Sequence, residues 1–363
     1  VTSSLDLSTH EHQWESLAPS RDARDLAQTA REHFASLDTI EIARRAVAGD
    51  DNTENLWPIL VESGYPQIGA PENLGGLGDP IDLAVLLEES GRALLPAPLM
   101  TTTAAGQLLL AAKLGDSQLG QDHAAFGIAN GRVENSLVTC ERVSVLNALG
   151  AKSVTLLVNE NSTLHVVEVE TSSPGVVASL CAHNLDPSRP FSELSFTNVP
   201  ARQHRQIPSA AYNQVLSPVR MCVAADLVGI AAGALDRALR HVLARRQFGQ
   251  RLGQFQAIKH QMSDAYVQVE KARSLMLGTA VAVRDQPMQT HTAQLSLLAL
   301  GSAVGAAVDV TSRCVQLLGA MGVTFEDDAH LYLRRAHQTS LSLESASAAF
   351  RAAAEIERAT HRV

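Results

Sequence analysis

Large rings are scarce: aromatics make up 4 % of the 363 residues, while 45 % are hydrophobic and 18 % charged. A chain that fills its interior with so few rings must pack Ala, Val and Leu closely, and the C-terminal half, rich in all three, suits helices pressed together. Cysteine is also rare. Cys140, Cys181, Cys222 and Cys314 lie far apart with no CxxC pair, which excludes a disulfide framework or a zinc site and reads as the reduced thiols of a cytoplasmic protein. Concentrated positive charge is missing too. With a net charge of −9, neither nucleic acid nor an anionic membrane is expected as a partner, and an anionic ligand must be held by a few local arginines. The longest apolar stretch, LSLLALGSAVGAAV at 295–308, is too short for a membrane span. The opening VTSSLDLSTHEHQWES has no basic segment followed by an apolar one, so no secretory signal is expected. His10, Glu11 and His12 form only a weak metal pattern, and no metal site is expected.

The length exceeds what one core usually supports, and the pattern changes twice along the chain. Residues 1–125 read as helical, with apolar residues at helical spacing in 21–35 and 82–94. Between them, Gly75, Gly76 and Gly78 read as a plain connector, since no strand precedes them and no Lys-Ser/Thr follows. Residues 126–205 read as a small, mostly antiparallel β-domain. SVTLLV (153–158) and LHVVEV (164–169) flank a hairpin turn, and FSELSFTNVPA (191–201) alternates like a half-buried strand. Residues 206–363 return to helix. Phe255, Ile258, Met262, Ala265, Val269, Ala272 and Met276 form a stripe, a second follows through Leu227, Ile230, Ala234 and Ala238, and 291–318 is apolar on most faces. With 340–360 these make an antiparallel four-helix bundle. The expected class is therefore α+β: an N-terminal all-α domain, a middle β-domain and a C-terminal four-helix bundle.

Two stretches offer chemistry. In LARRQFGQ (243–250) paired arginines present planar forks for phosphate oxygens, Phe248 a flat apolar face, and Gly249 a close backbone approach; a basic helix end satisfying its own carbonyls is the plainer reading. In QLLGAMGVTFEDD (316–328) a long helix stops at Gly319, and Gln316, polar on an apolar helix, needs a partner that a ligand or a backbone group could equally supply.

With LWPILVESGYPQIGAPENLGGLGDPIDLAVLLEESGRALLPAPL (56–99), RRQFGQRLGQFQAIKHQMSDAYVQVEKAR (245–273) and QLLGAMGVTFEDDAHLYLRRA (316–336), the chain resembles the acyl-CoA dehydrogenase family of flavoproteins over nearly its whole length. The resemblance implies FAD as cofactor and a coenzyme A thioester as substrate, with a glutamate removing the α-proton while the flavin accepts hydride from the β-carbon. It also implies that a neighbouring subunit grips the ADP half of each FAD. The gripping positions match Arg245, Gln247 and Phe248, and Gln316, Leu317, Gly319 and Ala320, with Ala320 where glycine is usual.

The sequence departs from the family twice. A stretch like TEPxAGSD and a tryptophan-bearing strand, which cradle the flavin ring, are replaced by AAFGIANGRVENSLVTC (124–140), and Trp14 and Trp57 are the only tryptophans. Aligned from Arg334–Arg335, the base position falls on Leu343 and the next on Glu344; the base position of a second group of members falls on Val219, before Arg220. A one-residue shift turns a side chain by about 100° on a helix, enough to remove a carboxylate from reach. Glu344 is then a base restored by an alignment gap, or a solvated or capping acid opening helix 344–360. Arg220 is a substrate-positioning residue or a buried ion-pair partner. The resemblance implies a subunit without its own catalytic base in an α2β2 acyl-CoA dehydrogenase, of a kind that often acts on steroid-derived thioesters. A homomeric dehydrogenase using Glu344, and a flavin-free structural partner, are the alternatives.

Overall fold

The computed structural model of the protein describes residues 19–50, 55–116 and 119–360. His10, Glu11 and His12 lie outside them. The N-terminal part is helical: α1 (Arg21–Ser36), α2 (Thr39–Val47), α3 (Trp57–Glu62), α4 (Pro80–Arg92) and α5 (Leu99–Ala111). Local chemistry sets the starts. Ser20 Oγ accepts from the Ala23 amide at 3.0 Å, and Asp79 and Asp82 exchange bonds in a capping box before α4, with Pro80 in its first turn. Helix α5 has no amphipathic signal because its first eleven residues are all buried.

The middle region is a seven-stranded sheet: β1 (Ala124–Glu134), β2 (Leu137–Leu146), β3 (Ser153–Glu160), β4 (Thr163–Glu170), β5 (Val176–Leu180), β6 (Phe191–Pro200) and β7 (Gln203–Pro208). Its order is β5-β6-β2-β1-β3-β4-β7. Every pairing is antiparallel except β1–β3, which runs parallel from Ala124↔Ser153 to Asn130↔Asn159. The first strand serves both halves of the sheet, turning from β3 to β2 at Gly131, where a Cβ would lie 2.4 Å from Cys140 Sγ. Val154, Leu156, Val167, Val169, Leu194 and Phe196 fill the core against one face.

The C-terminal part holds α6 (Tyr212–Ala244), a short hairpin of β8 (Arg246–Gln247) and β9 (Gln250–Arg251), α7 (Gln256–Asp285), α8 (Thr290–Leu318), α9 (Ala329–Thr339) and α10 (Ala346–Thr360). The long helices alternate in direction. Gln268 on α7 bonds Asp309 on α8 at 2.9 Å, and Gln294 on α8 bonds Glu357 on α10 at 2.6 Å. Helices α6 and α8 thus run parallel, with Ser217 against Ser296 at one end and Cys314 against the Ala238 backbone at the other. The sequence reading merged a fifth helix, α9, into the loop before 340–360, and α10 begins only at Ala346. Four of the seven residues in the expected stripe are core: Ala265, Val269, Ala272 and Met276 are buried, whereas Phe255, Ile258 and Met262 are half-exposed. By length and composition two helices, 209–244 and 290–323, could cross a membrane, although no unbroken apolar run in the sequence is long enough; their apolar windows are 100 % and 67 % buried inside this fold.

Close approach fixes the N-terminal part to α6. A Cβ on Gly229 would sit 1.8 Å from the Glu88 carbonyl oxygen, and one on Gly91 2.0 Å from that of Asp226. Only the absence of side chains lets these helices meet at backbone distance.

Candidate functional site

The end of α6 builds the first arm. Arg245 leaves the helix in an extended conformation (φ −68°, ψ 130°) while its amide still donates to the His241 carbonyl. The strands β8 and β9 then pair, Arg246↔Arg251 and Gln247↔Gln250. The two turn residues, Phe248 and Gly249, have φ of 51° and 80°. Both left-handed values are what a type I′ hairpin demands, and glycine meets that demand without strain. Phe248 does not; a bulky residue there costs about 1–2 kcal/mol. Its ring is nevertheless 89 % exposed, touching Phe255 edge-on at 6.3 Å. Arg245, Arg246 and Gln247 beside it are exposed as well. A strained backbone here holds an aromatic ring in water next to two guanidinium groups, an arrangement stability alone does not select.

The second arm follows α8. Gly319 ends the helix with φ 64°, and Gly319–Val323 forms a tight 3-10 turn. Gln316 faces solvent, so its amide needs no partner within the fold and is open to a ligand. Leu317 is half-buried, and Gly319 and Ala320 are exposed. This turn is clamped to the other arm. Arg237 on α6 donates to Asp327 at 2.6 and 3.0 Å and reaches Asp328 at 2.9 Å. Burial alone would raise the Asp327 carboxyl, but the Arg237 hydrogen bonds and charge hold it below the usual aspartate range. Residues 245–249 and 316–320 therefore project from the same end of the bundle.

The two positions expected for a base, Val219 and Leu343, lie elsewhere and carry no acid. Val219 is fully buried and Leu343 is half-buried against the core. Glu344, its side chain 21 % exposed, does not stand free in solvent. It forms an ion pair with Arg220, whose Nε lies 3.3 Å from Glu344 Oε2 and whose Nη2 contacts Oε1. Arg220 is 0 % exposed and gives its remaining bonds to the Asn213 carbonyl and side chain at 3.1 and 3.0 Å. The geometry gives Arg220 the ion-pair role; its donors are committed within the fold. Nearby, burial and the Glu344 charge raise the Tyr212 phenol.

A second charged group was not legible in the sequence. Arg189 binds Asp226 through two bonds of 3.0 and 2.6 Å and Thr339 at 2.9 Å. Arg335 pairs with Asp186 and donates to Ser188 and to the Leu94 and Leu95 carbonyls. Gln338 closes the set on the Asp186 and Arg189 backbone. Burial alone would raise the Asp186 carboxyl, yet Arg335, Ser188 and Arg189 together lower it. The LDPSRP loop carries no periodicity that would reveal these residues as core; only their pairing across the fold does.

These groups differ in what they can do. The interior charges are paired and closed to ligands. The two exposed arms offer forked donors for phosphate oxygens, an amide and a flat ring.

The family model described as "Acyl-CoA dehydrogenase, C-terminal domain" matches residues 210–345. Acyl-CoA dehydrogenase IpdE2 of Mycobacterium tuberculosis is 30 % identical over 332 residues, covering 91 % of this chain and 95 % of that protein. A structure of a variant of the Tcur3481-Tcur3483 steroid ACAD aligns with a TM-score of 0.82 at 24 % identity, over 94 % of this chain and 99 % of that one. The ChsE4-ChsE5 complex from Mycobacterium tuberculosis gives a TM-score of 0.77 at 20 % identity, over 96 % and 99 %. Below 25 % identity these structures speak to the fold alone.

Proposed function

The chain belongs to the acyl-CoA dehydrogenase family, a family of oxidoreductases, and from that footing we propose that it is the subunit of a cytoplasmic heteromer that completes a partner's FAD site without supplying a base of its own. The carrying observation is a contrast. Phe248 is held strained and 89 % exposed in a hairpin with free guanidinium forks, while Glu344, the nearest candidate base, is tied to buried Arg220.

The exposed residues fit the ADP half of FAD. Arg245 would take the pyrophosphate, Phe248 the adenine face, and Gln247 and Gln316 polar edges, with Leu317, Gly319 and Ala320 allowing close approach. When bound, the flavin supplies hydride acceptance; this chain's part is to hold and orient the dinucleotide of the partner. The partner would supply the proton-abstracting carboxylate and the thioester site. The names of similar proteins support a steroid-derived coenzyme A thioester as substrate class. A groove of about 720 Å³ framed by α1, α4, α6 and α7, where Leu239, Met262 and Tyr266 meet charged Arg31, Asp236 and Arg273, offers such a partner a mixed apolar and charged seat.

Co-expression with an acyl-CoA dehydrogenase-like partner tests the reading. An assembly with about two flavins for every four chains is expected, and the chain alone should neither hold FAD nor dehydrogenate. A yellow, active assembly of this chain alone would overturn it. FAD content insensitive to Arg245→Ala would leave the flavin-free structural role.

A further inference from the structure

Far from the bundle, one polar chain crosses the β-sheet. Ser136 sits with Asn135 in the turn between β1 and β2, both at positive φ (61° and 50°), with its side chain exposed. Ser136 Oγ lies 3.1 Å from His204 Nδ1 on β7. His204 Nε2 lies 2.9 Å from Nδ1 of buried His165 on β4. His165 Nε2 faces Glu160 Oε2 and Thr163 Oγ1, each at 3.4 Å.

Proton positions follow from the acceptors. Glu160 is a carboxylate and can only accept, and the Thr163 hydroxyl already donates to the Glu160 carbonyl at 3.0 Å. The His165 proton must therefore lie on Nε2, which leaves Nδ1 bare to accept from His204 Nε2–H. That leaves His204 Nδ1 bare toward the Ser136 hydroxyl. The hydrogen bonds point the same way, from serine through two imidazoles to the Thr163 hydroxyl, with the Glu160 carboxylate 3.4 Å from His165 Nε2 as a charge partner. Burial favours the neutral form of both histidines, lowering His165 (helped by the neighbouring His204) and His204 below the usual 6.5.

We propose that Ser136 is an activated nucleophile that accepts acyl groups from activated esters and thioesters, with His204 as its base and His165 and Glu160 as positioning residues. Ser136 Oγ bonds to the acyl carbon, its proton passes to His204 Nδ1, and the carbon–sulfur or carbon–oxygen bond breaks as the leaving group takes that proton. Water then attacks the seryl ester with His204 as base, releasing the acid and restoring the serine. Among the described residues the Ser136 amide makes no backbone hydrogen bond while its carbonyl accepts from Ala201 at 2.9 Å, so that N–H is available to a developing oxyanion. This activity is separate from dehydrogenation and independent of the FAD arms.

The test treats the full chain with a fluorophosphonate, locates the adduct by mass, and follows p-nitrophenyl acetate turnover. Ser136→Gly suits the left-handed turn and removes only the hydroxyl; a matched melting midpoint shows the fold kept. Labelling is expected at Ser136 in the parent and nowhere in Ser136→Gly, with turnover about 100-fold lower in Ser136→Gly and His204→Asn. Turnover should rise with pH through an inflection below 6.5, and Glu160→Gln, which removes the charge that raises His165, should shift that inflection, which a merely structural contact would not do. No adduct at Ser136, or equal turnover in Ser136→Gly, overturns the proposal.

Discussion

Arg220 and Glu344 stand 124 positions apart in sequence and neutralise one another inside the fold, with Arg220 Nε 3.3 Å from Glu344 Oε2. Each directly follows a position, Val219 or Leu343, that the family resemblance marks for a base. The charge that could have served as a base is committed to a buried guanidinium.

Replacing Glu344 with Gln should leave dehydrogenation by the assembled complex near the parent rate, while lowering stability. Removing one partner of a pair whose arginine is fully buried costs about 3–5 kcal/mol. Denaturant titration of the variant beside rate measurements on the complex separates the two effects. A complete loss of rate with unchanged stability would return Glu344 to the role of base.

Phe248→Gly should move stability and cofactor retention in opposite directions. Releasing a phenylalanine from the left-handed turn gains about 1 kcal/mol, whereas losing the ring should reduce the FAD retained by the complex. Melting midpoint and flavin absorbance, read on the same preparations, check both.

Gly229→Ala should be destabilising by about 2–3 kcal/mol, since its Cβ would fall 1.8 Å from the backbone oxygen of Glu88. The matched control is Gly305→Ala, where a Cβ meets nothing within 4 Å. Thermal midpoints of the two variants should differ by several degrees.

Acid should weaken the fold through Asp186 and Asp327. Both carboxyls are held below 3.8 in the folded chain, so as pH falls through that value the unfolded chain takes up protons that the folded chain refuses. Their contribution is complete above that value and fades as pH drops through the folded values. Urea midpoints measured from pH 6 downward should decline, and less steeply in Asp327→Asn.

The sequence made the three regions and most long elements legible because they repeat a pattern: 153–158 and 164–169 pair as strands and 291–318 is one helix. Helix α5 escaped notice since burial on every side erases periodicity, and α9 since a loop of only a few residues separates it from α10. The exposed arms were found through residue type, yet the strained turn at Phe248 depends on backbone angles that letters do not carry. The set around Asp186 and Arg335 stayed hidden for another reason. Its members are joined only in space, 149 positions apart.

That buried set has a mechanical consequence. Asp186 and Arg189 leave the sheet, Asp226 belongs to α6, Arg335 to α9, and Arg335 also holds the carbonyls that follow α4. Swinging any one region away from the others would strand ions in a dry interior, a toll far above thermal energy. The first arm thus extends from a helix anchored in this set, Arg237 ties the second arm to that helix, and a dinucleotide held as proposed would keep a fixed distance and angle from the rest of the chain.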